Sequence, residues 1–339
     1  MEKAVSITDI DGLQIGHFTD SRRPTGCTVL LCPQGAVAGV DVRGATPGTR
    51  ETDLLDPVNT VQAVHGLVLS GGSAFGLGAA SGVMRWLHER GHGLPVGPVR
   101  VPIVPAAVVF DLWVDDFAPG QRSGAWPDAA AGYAACEAAW ASREAPVLGN
   151  VGAGAGATVG KLNGPDCAMR GGIGSAALRV GGFTVAALVV CNAVGDVVDP
   201  RSGSLIAGAR RSPDSRALID SVRLQLSGPG GEPPALGSNT TIGVIVTDAP
   251  LNKVQAKRLA QIGHDGLARS IRPVHTPMDG DTLFALATGT AHGEVDLMRL
   301  CTAAAEVTAL AVVDAVQRAH DLRLGGRWWP GAASASDAR

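Results

Sequence analysis

Short apolar runs rich in β-branched residues alternate along the chain with stretches of helical spacing. Gly26-Cys27-Thr28-Val29-Leu30-Leu31-Cys32 and Val37-Ala38-Gly39-Val40-Asp41-Val42-Arg43 predict two strands joined as a hairpin by the turn Pro33-Gln34-Gly35. Residues 64–69, 172–179, 182–190, 242–246 and 282–288 predict further strands. Helices are expected over 79–89, over the alanine-rich 127–143, over 251–269, where Leu251, Val254, Leu259 and Ile262 share one face, and over 296–320. Residues 200–234 are polar and read as an exposed connection ending in the linker Gly228 to Pro234. The tail from Gly325 reads as loose. Strands and helices alternate irregularly, which supports a layered α/β or α+β domain rather than a doubly wound parallel sheet.

Composition narrows the function. At 339 residues and 45% hydrophobic, the chain can bury a large core and is expected to form one domain. A formal charge of -3 and 4% aromatic residues leave neither a basic footprint nor base-stacking platforms, so no nucleic-acid partner is expected. Met1 to Ser6 does not open a leader pattern, and no apolar run reaches spanning length free of charges or glycines. A cytoplasmic protein without a membrane partner is the expectation. Six scattered cysteines without a CxxC pair read as buried reduced thiols.

Several stretches carry candidate chemistry. Ser70-Gly71-Gly72-Ser73-Ala74-Phe75-Gly76-Leu77-Gly78 lies between a strand and a helix, where glycines serve either an anion at a helix N-terminus or close backbone packing. Gly152-x-Gly154-x-x-Ala157 satisfies a loose dinucleotide fingerprint, yet no strongly apolar strand precedes it and no acid follows about twenty residues on. Ala155 and Leu162 break a phosphate-loop pattern around Lys161. A non-catalytic nucleotide-binding module built on Gly71–Gly78 or Gly152–Ala157 is therefore the alternative function.

Lys161 is one of four lysines and stands among small apolar residues. It reads either as a desolvated lysine of lowered pKa that can steer a nucleophile or as a snorkelling loop lysine. Asn192 ends an apolar strand, as an oxyanion donor or as a turn former. Asp279 and Asp281 flank Gly280 at a strand entrance. No ligand spacing supports a metal, but the two carboxylates could hold an ammonium. Asn239-Thr240-Thr241 opens the strand 242–246 after a flexible loop. It reads as a polar turn, or as a threonine nucleophile whose own α-amine becomes its base once the preceding bond is cut.

Resemblance separates these readings. Asn239-Thr240-Thr241-Ile242, Val246-Thr247-Asp248-Ala249-Pro250-Leu251, His264-Asp265-Gly266-Leu267-Ala268-Arg269 and His275-Thr276-Pro277-Met278-Asp279-Gly280-Asp281-Thr282-Leu283-Phe284 form one ordered series. This series resembles the self-processing L-aminopeptidase/D-esterase and β-aminopeptidase family, which also contains the nylon-oligomer hydrolases. The likeness to the nylon-oligomer branch is the closer, and it extends from about Gly26 to Asp314.

The resemblance implies a four-layer α/β/β/α sandwich like that of N-terminal-nucleophile hydrolases. It further implies autocleavage between Asn239 and Thr240, giving fragments 1–239 and 240–339, with Thr240 as nucleophile on peptide, β-peptide or aminohexanoate amides. Lys161 is then the catalytic lysine, Asn192 the oxyanion donor, and Asp279 and Asp281 the acids beside Thr240. Gly72 and Ser73 line the substrate cleft. Phe110 occupies a place where aminopeptidase members tend to carry tyrosine, and it lacks that hydroxyl. No cofactor or metal is called for, and a tetramer of processed units is expected.

Overall fold

The apolar runs on either side of Pro33-Gln34-Gly35 form one strand of 17 residues, β2 (Gly26–Val42), rather than the expected hairpin. The structure is a computed structural model that describes residues 5–115, 124–142, 144–227 and 237–333. The hairpin fails because each half of β2 finds other partners. The first half pairs with β1 (Gln14–Thr19) and with β4 (Val64–Ser70), and the second half pairs with the last long strand, Thr282–Ala287. Between them Gly35 takes φ +94, and the register against β4 shifts between Leu31 and Ala36. The turn residues thus become a bulge, which bends β2 from one sheet into a second.

The first sheet continues from β4 to β5 (Ala106–Val108) and the short edge strand β3 (Thr49–Arg50). The second runs β6 (Gly172–Val180), β7 (Phe183–Asn192), β8 (Thr240–Thr247) and β9 (Thr282–Ala287), ending on β2. Only β4/β5 and β8/β9 are parallel among these pairs. β6 and β7, expected as separate strands, form a hairpin closed by Gly181 and Gly182, both at positive φ, as a two-residue turn matched to strand twist requires.

Side-chain alternation stacks the layers. On β7, Ala186, Leu188 and Val190 face a core shared with Leu30, Leu67 and Leu69 of the first sheet, so the two sheets pack face to face. Val185, Ala187 and Val189 point the other way, onto α3 (Lys253–Ser270) and α4 (Leu297–Gln317). Val29, Leu31 and Val68 of the first sheet pack on α1 (Ala79–Glu89) and α2 (Ala129–Ala141). The result is the four-layer α/β/β/α sandwich. Glycine and alanine make the outer layers thin: a β-carbon added to Gly82 would lie 1.8 Å from the Ala129 carbonyl oxygen, so only glycine lets α1 and α2 approach this closely.

Helix ends follow their sequence signals. Asn252 and Gln255 form a reciprocal capping box at the start of α3, and the Asp296 side chain caps α4. By length and composition alone α4 could cross a membrane, although it carries Arg299, Glu306 and Asp314. Its apolar face is instead covered by the second sheet and α3.

Two loop expectations are corrected. The tail is ordered through residue 333, because Leu322–Leu324 pairs with Arg327–Trp329 and Trp329 is buried. The polar stretch after Pro200 is anchored by Arg210, which is fully buried and donates to the carbonyls of Asp166, Ala168, Pro213, Ser215 and Trp328. The linker Gly228 to Pro234 lies outside the described residues. The cysteines are free thiols, five of them buried.

Candidate active site

Strand register assembles the site. Thr240, the first residue of β8, stands opposite Asn192, the last residue of β7, and Asn239 forms a parallel bridge to Asp279 just before β9. The ends of three neighbouring strands therefore bring together residues that lie up to 87 positions apart. Thr240 is 3% exposed, and Ser238, Asn239 and Thr241 are fully buried. The Thr240 hydroxyl donates to the carbonyl oxygen of Asn239, the bond expected to be cut. The backbone N–H of Gly280 donates to that same oxygen at 3.0 Å.

Lys161 follows a short strand, Thr158–Val159, and its own N–H is held by the Val194 carbonyl at 2.9 Å. The side chain is wholly buried. Nζ donates to the backbone oxygen of Asn192 at 2.8 Å and to its side-chain oxygen at 3.0 Å, and lies 5.5 Å from the centroid of the Trp113 ring. Burial pushes its pKa down to about 7, against the opposing pull of Asp279, Cys191 and Asp281. Full burial of the ammonium removes the snorkelling reading.

Asn192 is oriented by three bonds. Its side-chain oxygen accepts from the Thr158 N–H at 3.0 Å as well as from Lys161, and its Nδ2 donates to the Phe110 carbonyl at 3.1 Å. The amide nitrogen carries a second N–H beyond the one given to Phe110. The Phe110 ring packs edge-on against Trp113 with centroids 5.4 Å apart and supplies no donor.

The two carboxylates have different surroundings. Asp281 accepts the Thr241 N–H at 2.6 Å on one oxygen, and on the other the His275 N–H at 3.1 Å and its Nδ1 at 2.8 Å. Asp279 accepts from the Thr276 N–H at 2.9 Å, the Thr276 hydroxyl at 2.6 Å and the Val194 N–H at 3.4 Å. Burial and then the charge of Asp281 raise Asp279 to about 6, despite those donors. The pair thus shares a buried site in which one carboxyl group holds its proton more tightly than usual. Among the described residues no group of three or more His, Cys, Asp or Glu side chains is set to hold a metal.

Gly72 and Ser73 join this group through Asp111. The Asp111 carboxylate accepts the Gly72 N–H at 2.9 Å and the Thr25 hydroxyl at 2.7 Å, and it pairs with Arg23 at 2.5 Å, both ends buried. Ser73 bonds the Val109 carbonyl at 3.0 Å and takes φ +53, a left-handed conformation for a non-glycine residue. Beyond it Phe75 stacks on Trp126 with centroids 4.4 Å apart. The loop is therefore fixed to the Phe110–Asp111 segment rather than to Thr240.

The same contacts count against a nucleotide site. The N–H groups of Gly71, Gly72 and Ser73 are taken by the Gly26 carbonyl, the Asp111 carboxylate and the Val109 carbonyl, which puts a carboxylate at the place where an anion would bind. Gly152 and Ala153 are likewise engaged by the hydroxyls of Thr19 and Thr28.

Sequence reasoning assigned no role to His275, Gly280, Trp113 or the Arg23–Asp111 pair. His275 takes φ +54, its ring packs edge-on against His264 at 4.8 Å, and its Nε2 is buried without a hydrogen-bond partner among the described residues. The only sequence signal for His275 and Gly280 was their place in the same motif as Asp279 and Asp281. Nothing local marked Trp113 or paired Arg23 with Asp111, 88 residues away.

The chain is 46% identical over 305 residues to an uncharacterised aminopeptidase of Mycobacterium leprae, covering 84% of this chain and 78% of that protein. It is 33% identical over 299 residues to a 6-aminohexanoate-oligomer endohydrolase of Paenarthrobacter ureafaciens, covering 85% and 75%. Its fold superposes on a β-aminopeptidase of Burkholderia sp. with a TM-score of 0.70 at 23% identity, covering 99% of this chain and 93% of that one. An L-aminopeptidase D-Ala-esterase/amidase from Ochrobactrum anthropi, described as a variant of the Ntn hydrolase fold, matches with a TM-score of 0.64 at 19% identity, covering 98% and 93%. The model of peptidase family S58 matches residues 5–327, and the chain belongs to that family.

Proposed function

We propose that this member of peptidase family S58, a hydrolase of peptide and amide bonds, cuts its own backbone between Asn239 and Thr240 and then uses Thr240 as an N-terminal nucleophile. The observation that carries the reading is the Thr240 hydroxyl bonded to the carbonyl of Asn239, at a strand end that also presents Asn192 and a buried Lys161. The hydroxyl oxygen attacks the Asn239 carbonyl carbon, and its proton passes to the departing amine of Thr240. Water then hydrolyses the resulting ester. Fragments 1–239 and 240–339 remain together as one hydrolase domain.

The new α-amine, with an ordinary pKa of about 7.7 to 8.0, is unprotonated in part at neutrality and takes the hydroxyl proton when Thr240 attacks a substrate amide. Lys161 shares that proton, the second N–H of Asn192 binds the oxyanion, and Asp279 and Asp281 favour the ammonium form between steps. Water releases the acyl group. Gly72, Ser73 and Phe110 line the approach.

The substrate is an α-peptide, a β-peptide or a linear amide of the aminohexanoate kind. The apolar faces of Phe110 and Trp113 beside the lysine favour an aliphatic chain over a charged one, in keeping with the name of the 33% identical oligomer hydrolase. The processed protein is a cytoplasmic tetramer in this reading. Intact mass under denaturing conditions tests it. Scaling 34.4 kDa over 339 residues, cleavage gives pieces of about 24 and about 10 kDa. Thr240→Ala should stay whole while Thr241→Ala still splits. A wild-type chain that stays whole would refute self-cleavage.

A further inference from the structure

We infer that the backbone N–H of Gly280 is the oxyanion donor for self-cleavage, and that the protein therefore uses different donors to process itself and to turn over substrate. The inference rests on the self-cleavage reading above and assigns a group to its first step.

The Asn239 carbonyl oxygen accepts two bonds, one from the Thr240 hydroxyl that would attack and one from the Gly280 N–H at 3.0 Å. Asn192, the donor assigned to substrate turnover, is bonded to other groups: its Nδ2 donates to the Phe110 carbonyl and its oxygen accepts from Lys161 and Thr158. The carbonyl at the bond to be cut thus already lies against a donor that is not Asn192.

That donor is rigid. The Asp279 carbonyl on one side of Gly280 accepts the Thr46 N–H at 2.9 Å, and the Asp281 carbonyl on the other accepts the N–H groups of Arg43 and Gly44 at 3.0 and 3.2 Å. A β-carbon on Gly280 would lie 2.4 Å from the Thr46 carbonyl oxygen and 2.9 Å from the Thr240 hydroxyl oxygen. Glycine is required here because the Thr46 backbone, and beyond it the nucleophile, occupy the space a side chain would fill. When the Thr240 oxygen bonds to the Asn239 carbon, the C=O electron pair moves onto the carbonyl oxygen, and a donor held in place stabilises that charge without reorganising. Collapse of the intermediate breaks the C–N bond, passes the hydroxyl proton to the Thr240 nitrogen and leaves the ester, which water then opens.

The test removes the N–H without adding a side chain. Glycolic acid introduced at position 280 during cell-free translation turns the amide into an ester, and an ester placed at Leu283, in the strand that follows, is the control for a weakened backbone. Appearance of the two fragments is followed over time, and the cleaved material is assayed on an amide substrate. The expected result is cleavage about 10²- to 10³-fold slower for the Gly280 ester than for wild type and the control, with turnover after cleavage unchanged. Cleavage within a few-fold of the control overturns the inference, and so does a turnover defect as large as the cleavage defect, since the donor would then serve both steps. A wild-type chain that never splits overturns the self-cleavage reading itself, and this inference with it.

Discussion

Lys161 holds its amine nitrogen 2.8 Å from the backbone oxygen of Asn192 and 3.0 Å from its side-chain oxygen. A neutral amine still donates, so this geometry survives loss of the proton. With its pKa at about 7 in the folded chain and 10.5 when unfolded, the unfolded chain binds the proton between those values and the folded chain does not. Stability therefore rises with pH across that window, by up to about 1.4 kcal/mol per pH unit. Urea unfolding of Thr240→Ala, which keeps the chain whole, against Thr240→Ala with Lys161→Met should show the lysine form gaining on the methionine form from pH 7 to 9.5. A difference independent of pH would mean that Lys161 is charged in the fold.

Asp111 supports the cleft from behind. Its carboxylate is the buried partner of Arg23 and also holds the Gly72 N–H and the Thr25 hydroxyl. Asp111→Ala leaves a buried guanidinium unpaired and should destabilise the chain by about 3 to 5 kcal/mol, read as a lower urea midpoint. A loss below 1 kcal/mol would show that Arg23 finds another anion or reaches water.

His275 is a positioning residue. It pins the Asp281 oxygen opposite the one that accepts the Thr241 N–H, and its backbone is left-handed. Asn tolerates that conformation better than most residues, so His275→Asn should fold while loosening Asp281. The expected effect is a drop of roughly 10- to 100-fold in kcat with KM nearly unchanged. A change in KM alone would place His275 in substrate binding instead.

Phe110 supplies an apolar edge where a hydroxyl could donate. Phe110→Tyr keeps the ring against Trp113 and adds a hydroxyl donor to it. One further hydrogen bond made only in the transition state is worth about tenfold in kcat. Steady-state rates on short peptide amides and on an aminohexanoate dimer should rise together if the hydroxyl meets the oxyanion. A gain confined to one class would assign Phe110 to substrate choice.

Much of the site was legible because its residues are unusual where they stand. Lys161 is a lone lysine among glycines and alanines, Thr240 opens an apolar strand, and Asp279 and Asp281 flank a glycine at a strand entrance. Such local contrasts survive in one dimension. Phe110 was legible only by what it lacks, a hydroxyl. His275, Trp113 and the Arg23–Asp111 pair carry no local contrast, and their roles depend on partners far along the chain.

By itself the sequence specified the strands and helices with strong periodicity, the hydroxyl at the head of β8 and the layered class of the fold. These follow from local side-chain preference and from which face of each element is apolar. Tertiary structure decided that β2 runs on through Pro33-Gln34-Gly35, because each half pairs with distant strands instead of with the other half. It also decided that Asn192 faces Thr240, that Lys161 is dry, and that the Gly280 N–H meets the Asn239 carbonyl. Register, burial and hydrogen-bond pairing are sums over neighbours drawn from the whole chain, and no window of sequence contains them.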